Sequence, residues 1–352
     1  MLILSIGRTL KLLGLTILTT LIITACGGRV VEQTVNQQFP PSTDCQMILH
    51  EMGETQICGQ PQKIVAFGPY ILELLIALDI QPAGFADQIQ FHQGDYDNPS
   101  EQIPYLGERI ISQPINVGLV YSPSFEALLK IKPDLILGTE ANKTQYDTLS
   151  KIAPTLLFKW FDAEANLKTI AQVMGDSAKA EKILAENDQR LASAKQAFSP
   201  IVAAHPQVLM LVSSGQSLQE QLRFPNRNSF CTSLVTNLGF QLVFPQNLAQ
   251  SNQGLPPPIS IETLPQLNDA DLIILLGRNF SDLNQRRGQN YFEPEMKKLK
   301  QKWSENAIAQ SMSASKAGRV YFIPGYLCLG LPGPIGTELY LNELQKQLLS
   351  LP

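Results

Sequence analysis

The chain has 352 residues, 44% of them hydrophobic and 16% charged. That composition suits one large or two medium globular units with real cores and excludes a disordered or fibrous protein. A formal net charge of -4 leaves no basic footprint for a nucleic-acid partner.

At the N-terminus, Arg8 and Lys11 form a positive region ahead of an apolar run, Leu12 to Ala25, that is too short and wrongly flanked to span a membrane. The run ends in "IITACGG", where Thr24 and Ala25 precede Cys26 as in a lipobox. Residues 1–25 are therefore expected to be a lipoprotein signal peptide and Cys26 the lipidated residue. The plainer alternative is an ordinary signal peptide with an incidental cysteine. The lipobox reading places the mature chain at the periplasmic or cell-surface face of the cytoplasmic membrane, held there by acyl groups. Residues 26–44, polar and carrying Pro40-Pro41, read as a flexible tether.

An oxidising compartment changes how the other cysteines read. Cys45 and Cys58 flank "QMILHEMGETQI", two short alternating runs about Met52-Gly53, which predicts a hairpin closed by a disulfide. Cys231 and Cys328 are a second candidate pair on weaker grounds, being far apart in sequence. No zinc-type cysteine spacing occurs.

Beyond the hairpin, "KIVAFG" predicts a strand, "PYILELLIALD" a helix with Pro69 in its first turn, and "PAGFAD" the next strand. A longer loop through Tyr96, Asn98 and Gly107 follows. Then "SPSFEALLKI" predicts a helix, "DLILG" a strand, "NKTQYDTLSKI" a helix and "TLLFK" a strand. Asp176 to Phe198 lacks Gly and Pro, opens on a good N-cap and carries apolar Ile183, Leu184, Leu191, Ala194 and Phe198. As a helix it spans about 35 Å and acts as a strut.

The second half repeats the order of the first: strand "QVLMLVS", helix "NSFCTSLVTNLG", strand "QLVF", helix "ISIETLPQL", strand "DLIILLG" and last strand "RVYFIP". Glu126 and Asp134 are answered by Glu262 and Asp271. The expected fold is α/β: two similar lobes, 45–175 and 200–352, each a mainly parallel sheet flanked by helices. The helix 176–199 joins them, and a further helix ends the chain.

The segments "PQKIVAFGPYILELLIALDIQPAGFAD", "SPSFEALLKIKPDLILG", the long helix, "ISIETLPQLNDADLIILL" and "SASKAGRVYFIPG" occur in the order found in one family. The chain resembles the periplasmic binding proteins that serve ABC importers of ferric siderophores, haem and cobalamin. Within that cluster it looks most like the iron-siderophore and ferric-citrate receptors. The resemblance implies a monomeric receptor that captures a ferric siderophore between its lobes and delivers it to a membrane permease. It implies no intrinsic cofactor, the iron arriving as part of the ligand.

A ferric chelate is bulky, partly apolar and often anionic, and its metal is already coordinated. Aromatic walls and Arg forks then matter more than protein ligands to the metal. Such residues belong in loops after strand C-termini. The N-lobe offers Tyr70, Arg109, Tyr121 and Trp160; the C-lobe offers Arg223, Phe224, Arg227, Arg278, Phe280 and Tyr326. Each has a plainer reading, since loop arginines are ordinarily solvated and Trp160 or Phe224 serves equally well as rim packing.

Glu73 is the only charge in "PYILELLIAL" and is expected to mark the exposed line of that helix. The resemblance implies that a Glu here docks against permease arginines; the plainer reading is a solubilising charge. The comparable C-lobe position is Ser233, with Glu220 as the nearest substitute. Competing functions have less support. No GxSxG, P-loop, HExxH or GxGxxG pattern points to an enzyme. Direct Fe³⁺ binding would draw on His92, Asp95, Tyr96 and Asp97 in "FHQGDYDNP". Cobalamin or haem is the nearer rival ligand.

Overall fold

Strand and helix alternate along the chain and build two sheets, seen in a computed structural model that describes residues 44–214, 222–245, 257–278 and 291–349. The expectations for the leader, the tether, Cys26, Glu220 and Phe280 lie outside the described residues. β1 (Cys45–His50) and β2 (Gly53–Cys58) form the antiparallel hairpin, and a disulfide joins Cys45 to Cys58 across its open end. The hairpin is held to the N-lobe by the Glu51 N–H, which donates to the Leu157 carbonyl at 2.9 Å.

The N-lobe sheet contains β3 (Ile64–Phe67), β4 (Gly84–Asp87), β5 (Ile115–Leu119), β6 (Ser122–Pro123), β7 (Leu135–Thr139) and β8 (Thr155–Phe158), in the order β6-β5-β4-β3-β7-β8. All its pairs are parallel except β5 with β6. Helices α1 (Pro69–Ala77), α2 (Phe125–Ile131) and α3 (Ala163–Val173) accompany it. β3, β4, β7 and β8 are buried at every residue, as expected of parallel strands covered on both faces. β5 falls in what the sequence reads as loop, and β6 takes the first two residues of the segment "SPSFEALLKI" read as a helix. Asn116 and Gly118 conceal β5: Gly118 takes φ 84° and donates its N–H to Asn116 Oδ1 at 2.8 Å, a conformation that favours glycine.

Helix α4 (Ser177–Ala204) links the lobes and runs past the expected end through Pro200. Proline removes one backbone donor, but Phe198 is fully buried and Ile201 and Val202 pack against the C-lobe core, which holds the last turn in place. At 1.5 Å per residue α4 is about 42 Å long. The C-lobe sheet contains β9 (Gln207–Ser213), β10 (Leu222–Arg223), β11 (Gln241–Leu242), β12 (Leu272–Gly277) and β13 (Val320–Pro324). Their order is β10-β9-β12-β13, with β11 also on β9, and only β10 is antiparallel. Its helices include α5 (Phe230–Asn237), α6 (Glu293–Glu305), α7 (Tyr326–Leu329) and α8 (Pro334–Leu348). A disulfide ties Cys231 in α5 to Cys328 in α7.

The repeated sequence block has a repeated structural use. Asp134 accepts the backbone N–H groups of Gln62 and Lys63 at 2.9 and 2.8 Å, and Asp271 accepts that of Gln207 at 2.9 Å. Each carboxylate thus fastens the start of a neighbouring strand. The helices of the two blocks differ. Ser124 caps α2 through Ala127, whereas "IETLPQL" forms a 3-10 helix, Ile261–Leu267, with Pro265 inside it. Pro265 has no N–H for an α-type bond to residue 261.

One apolar core crosses from lobe to lobe. Phe91 and Tyr105 of the N-lobe cluster with Tyr291, Phe292, Tyr326, Leu331 and Ile335 of the C-lobe. Tyr105 stacks on Phe292 at 5.5 Å between centroids, and Phe292 on Tyr326 at 5.2 Å. Removing the Asp134 carboxylate should leave both exposed strand-start amides to water. Asp134→Ala is expected to lower stability by about 1.5 kcal/mol, read as a shifted urea midpoint with an unchanged slope.

Candidate functional site

A cavity of about 240 Å³ opens between the lobes. Gln88 and Ile89, directly after β4, and Tyr121, in the turn between β5 and β6, line it from the N-lobe. Arg278, directly after β12, and Tyr326 and Leu329 on α7 line it from the C-lobe. Both walls stand at strand C-termini, where α/β sheets bind ligands. The Arg278 backbone N–H donates to Ser213 O at 2.8 Å, anchoring the residue to β9. Burial pulls its guanidinium below the ordinary arginine range, Tyr121 opposes this, and the like charge of Arg223 adds to it. Arg278, partly buried at the cleft opposite a phenol and within electrostatic reach of Arg223, suits a delocalised anion. Tyr326 is 2% exposed and its hydroxyl has no hydrogen-bond partner.

A second cavity, about 560 Å³, is lined by Phe91, His92, Asp95, Asp97 and Glu101 of the loop after β4 and by Tyr291. Two of its three carboxylates are already engaged: Asp95 accepts the Asn116 N–H at 3.0 Å and Asp97 accepts the Gln102 amide. Tyr96 is not in this cavity but in the core, its ring 5.5 Å from that of Phe85. Among the described residues, no group of three or more His, Cys, Asp or Glu is placed to hold a metal ion.

The structure corrects several expectations. Tyr70 is fully buried, takes a hydrogen bond from Asn166 Nδ2 at 2.6 Å, and packs 5.8 Å from the Trp160 ring. It is core rather than cleft wall because α1 is apolar on every side. Trp160 is half-buried beside it and lines neither cavity. Arg109 pairs with Glu338 at 3.1 Å, so its guanidinium ties the two lobes together. Arg227 lies over the Phe244 ring, 4.1 Å from its centroid, within the C-lobe. Phe224 is buried against the same ring. Tyr121, Arg278 and Tyr326 do meet at the cleft, with Arg223 close enough to act on Arg278.

Glu73 is the largest correction. It is 0% exposed, so it cannot offer a surface charge to a permease. Its Oε2 accepts the Gly333 N–H at 2.9 Å and its Oε1 the Gly336 N–H at 2.6 Å. Burial pushes its carboxyl up to about 7, against the pull of these backbone donors and of Arg109.

Asp87 is the residue that sequence reasoning missed. It closes β4 beneath the cavity and is 2% exposed. Its Oδ1 accepts the N–H groups of Gln88 and Ile89, while Oδ2 has no partner. Burial pushes it up to about 7. The available signal was an acid ending an otherwise apolar strand, "GFAD", at the C-terminal edge of the sheet.

Two such lobes, a linking helix and a cleft at the strand ends narrow the fold, and comparison with known proteins decides the family. The periplasmic binding protein family matches residues 64–327. The chain belongs to that family. The lipoprotein YhfQ of Bacillus subtilis, provisionally assigned as an ABC transporter substrate-binding protein, is 27% identical over 315 residues, covering 86% of this chain and 88% of the relative. The Fe(3+)-citrate-binding protein YfmC of the same organism is 24% identical over 321 residues, covering 90% and 89%. The fold is shared with Staphylococcus aureus SirA, solved with staphyloferrin B, at TM-score 0.66 and 22% identity, covering 86% of this chain and 98% of SirA. No described helix of this binding protein is long and apolar enough to cross a membrane.

Asp87 and Glu73 both hold a proton more tightly folded than unfolded. Their contribution to folding is therefore greatest at low pH and is lost as pH rises from the unfolded carboxyl values near 4 to about 7. Asp87→Asn removes one of the two titrations. The melting temperature of the variant relative to the parent binding protein should be higher at pH 8 than at pH 5. A gap that does not change with pH would show that Asp87 titrates normally.

Proposed function

We propose that this chain is the extracytoplasmic substrate-binding component of an ABC importer, capturing a ferric siderophore in the interlobe cleft and passing it to the permease. It acts as a receptor, not a catalyst. The observation that carries this reading is the placement of Arg278, partly buried next to Arg223 and facing Tyr121 across the cleft. Such a pair favours a chelate that brings its own negative charge, from carboxylate or catecholate groups, over a bare cation. YfmC is named for Fe(3+)-citrate and SirA was solved with staphyloferrin B, which supports the same ligand class here. The protein works as a monomer and is anchored through lipid on Cys26, in keeping with relatives that are lipoproteins.

Tryptophan-fluorescence titration against ferric citrate, ferric catecholate and hydroxamate complexes, haem, cobalamin and free ferric salt tests the ligand. An anionic ferric chelate is expected to bind at micromolar Kd or tighter, about −8 kcal/mol or better. Arg278→Ala should weaken that binding by about 1.5 to 3 kcal/mol. Tight binding of free Fe³⁺ with none of any chelate would reject the reading.

The anchor is tested separately. Cys26→Ser should move the protein from membrane to soluble fractions, and an unchanged distribution would remove the lipid anchor.

A further inference from the structure

We propose that Glu73 is a positioning residue of the cleft. It caps α8 from the opposite lobe and thereby fixes where the cleft-lining strip Tyr326–Gly330 stands against the N-lobe. The proposal rests on the cleft reading above for its consequence, but not for its geometry.

Helix α8 begins at Pro334 with Gly333 as its N-cap and no side-chain cap of its own. The first N–H groups of a helix have no partners within it, and its N-terminus favours a negative charge. Glu73, at the middle of α1 and 260 residues away in sequence, supplies both needs. Each of its oxygens takes one backbone N–H, from Gly333 and Gly336. Glycine at 333 permits the approach itself, and glycine at 336 permits the tight turn that presents the second N–H. A Cβ on Gly333 would lie 2.8 Å from Glu73 Cδ, and one on Gly336 would lie 1.6 Å from the Leu331 carbonyl oxygen. One turn onward, Glu338 meets Arg109 of the N-lobe at 3.1 Å and Arg190 of α4 at 3.3 Å. That pair is partly exposed and weak; the Glu73 contact is dry.

The strip just upstream is held from two sides. Cys328 is bonded to Cys231 within the C-lobe, while Leu331 and Ile335 pack into the core that contains α1. Leu329 and Gly330, which line the 240 Å³ cavity, lie between these two attachments, and Tyr326, which lines it too, stands two residues before the first. Glu73 therefore sets the position of one cleft wall without touching ligand. A glutamine there is nearly isosteric but has only one acceptor and turns an NH₂ toward a backbone N–H.

The test uses the full-length protein in detergent, well below its melting temperature. Glu73→Gln should speed hydrogen exchange locally, over Tyr326–Thr337, and weaken ferric citrate binding about tenfold. Gly333→Ala attacks the same contact from the C-lobe and should act in the same direction, so it serves if the Gln variant does not fold. A lower melting temperature with unchanged local exchange and affinity would make Glu73 a stabilising contact only and overturn the proposal. Should the parent protein not bind ferric citrate, that failure counts against the proposed ligand, and the exchange of the strip decides the positioning role by itself.

Discussion

A carboxylate removed from water is tolerated only where its lone pairs are met, and Glu73 satisfies this with two backbone N–H groups from the other lobe. Much else depends on that constraint. Glycine at 333 is needed for the close approach, glycine at 336 for the turn against Leu331, and α8 can begin without a cap of its own. Around the contact, the aromatic stack of Tyr105, Phe292 and Tyr326 continues one core across the lobe boundary. The lobes are thus joined by a helix, a shared core and a buried polar clasp. Large hinge opening would break all three.

That rigidity bears on binding. A pocket that is already formed loses little ordering entropy when ligand arrives, so affinity follows from the chemistry of its walls. Those walls are unlike. The C-lobe side carries Arg278 and Tyr326, whose hydroxyl is unpartnered, whereas the N-lobe side presents Ile89, Tyr121 and Gln88, which directly follows the buried Asp87. Charge is concentrated on one side, which orients an anionic ligand before the other wall makes contact.

Where sequence patterns failed, the failure has a common cause. Glu73 looked exposed because a lone acid on an amphipathic helix marks the wet face, but a helix apolar all round is a buried helix, and its single acid is buried with it. The spacing of Gly330, Gly333 and Gly336 was the available sign of another group approaching closely. Tyr70 was misplaced for the same reason as Glu73. Arg109 and Arg227 are of the residue type that binds anions, yet each found a partner within the chain, Glu338 and Phe244. β6 and β10 were illegible because short edge strands form against a neighbour's unpaired backbone rather than from their own side chains, and β5 because Asn116 and Gly118 break its apolar pattern.

By itself the sequence determined the alternation of strands and helices, the hairpin with its cysteine pair, the linking helix and the twice-used acid at the strand start. Each of these rests on interactions within a few residues or on an apolar run long enough to require burial. Only the tertiary structure decided which arginine faces the cleft, that Asp87 lies beneath it, and that Glu73 joins the lobes instead of facing outward. Those outcomes depend on which groups from distant parts of the chain compete for the same charge or hydrogen bond. No local pattern encodes that competition.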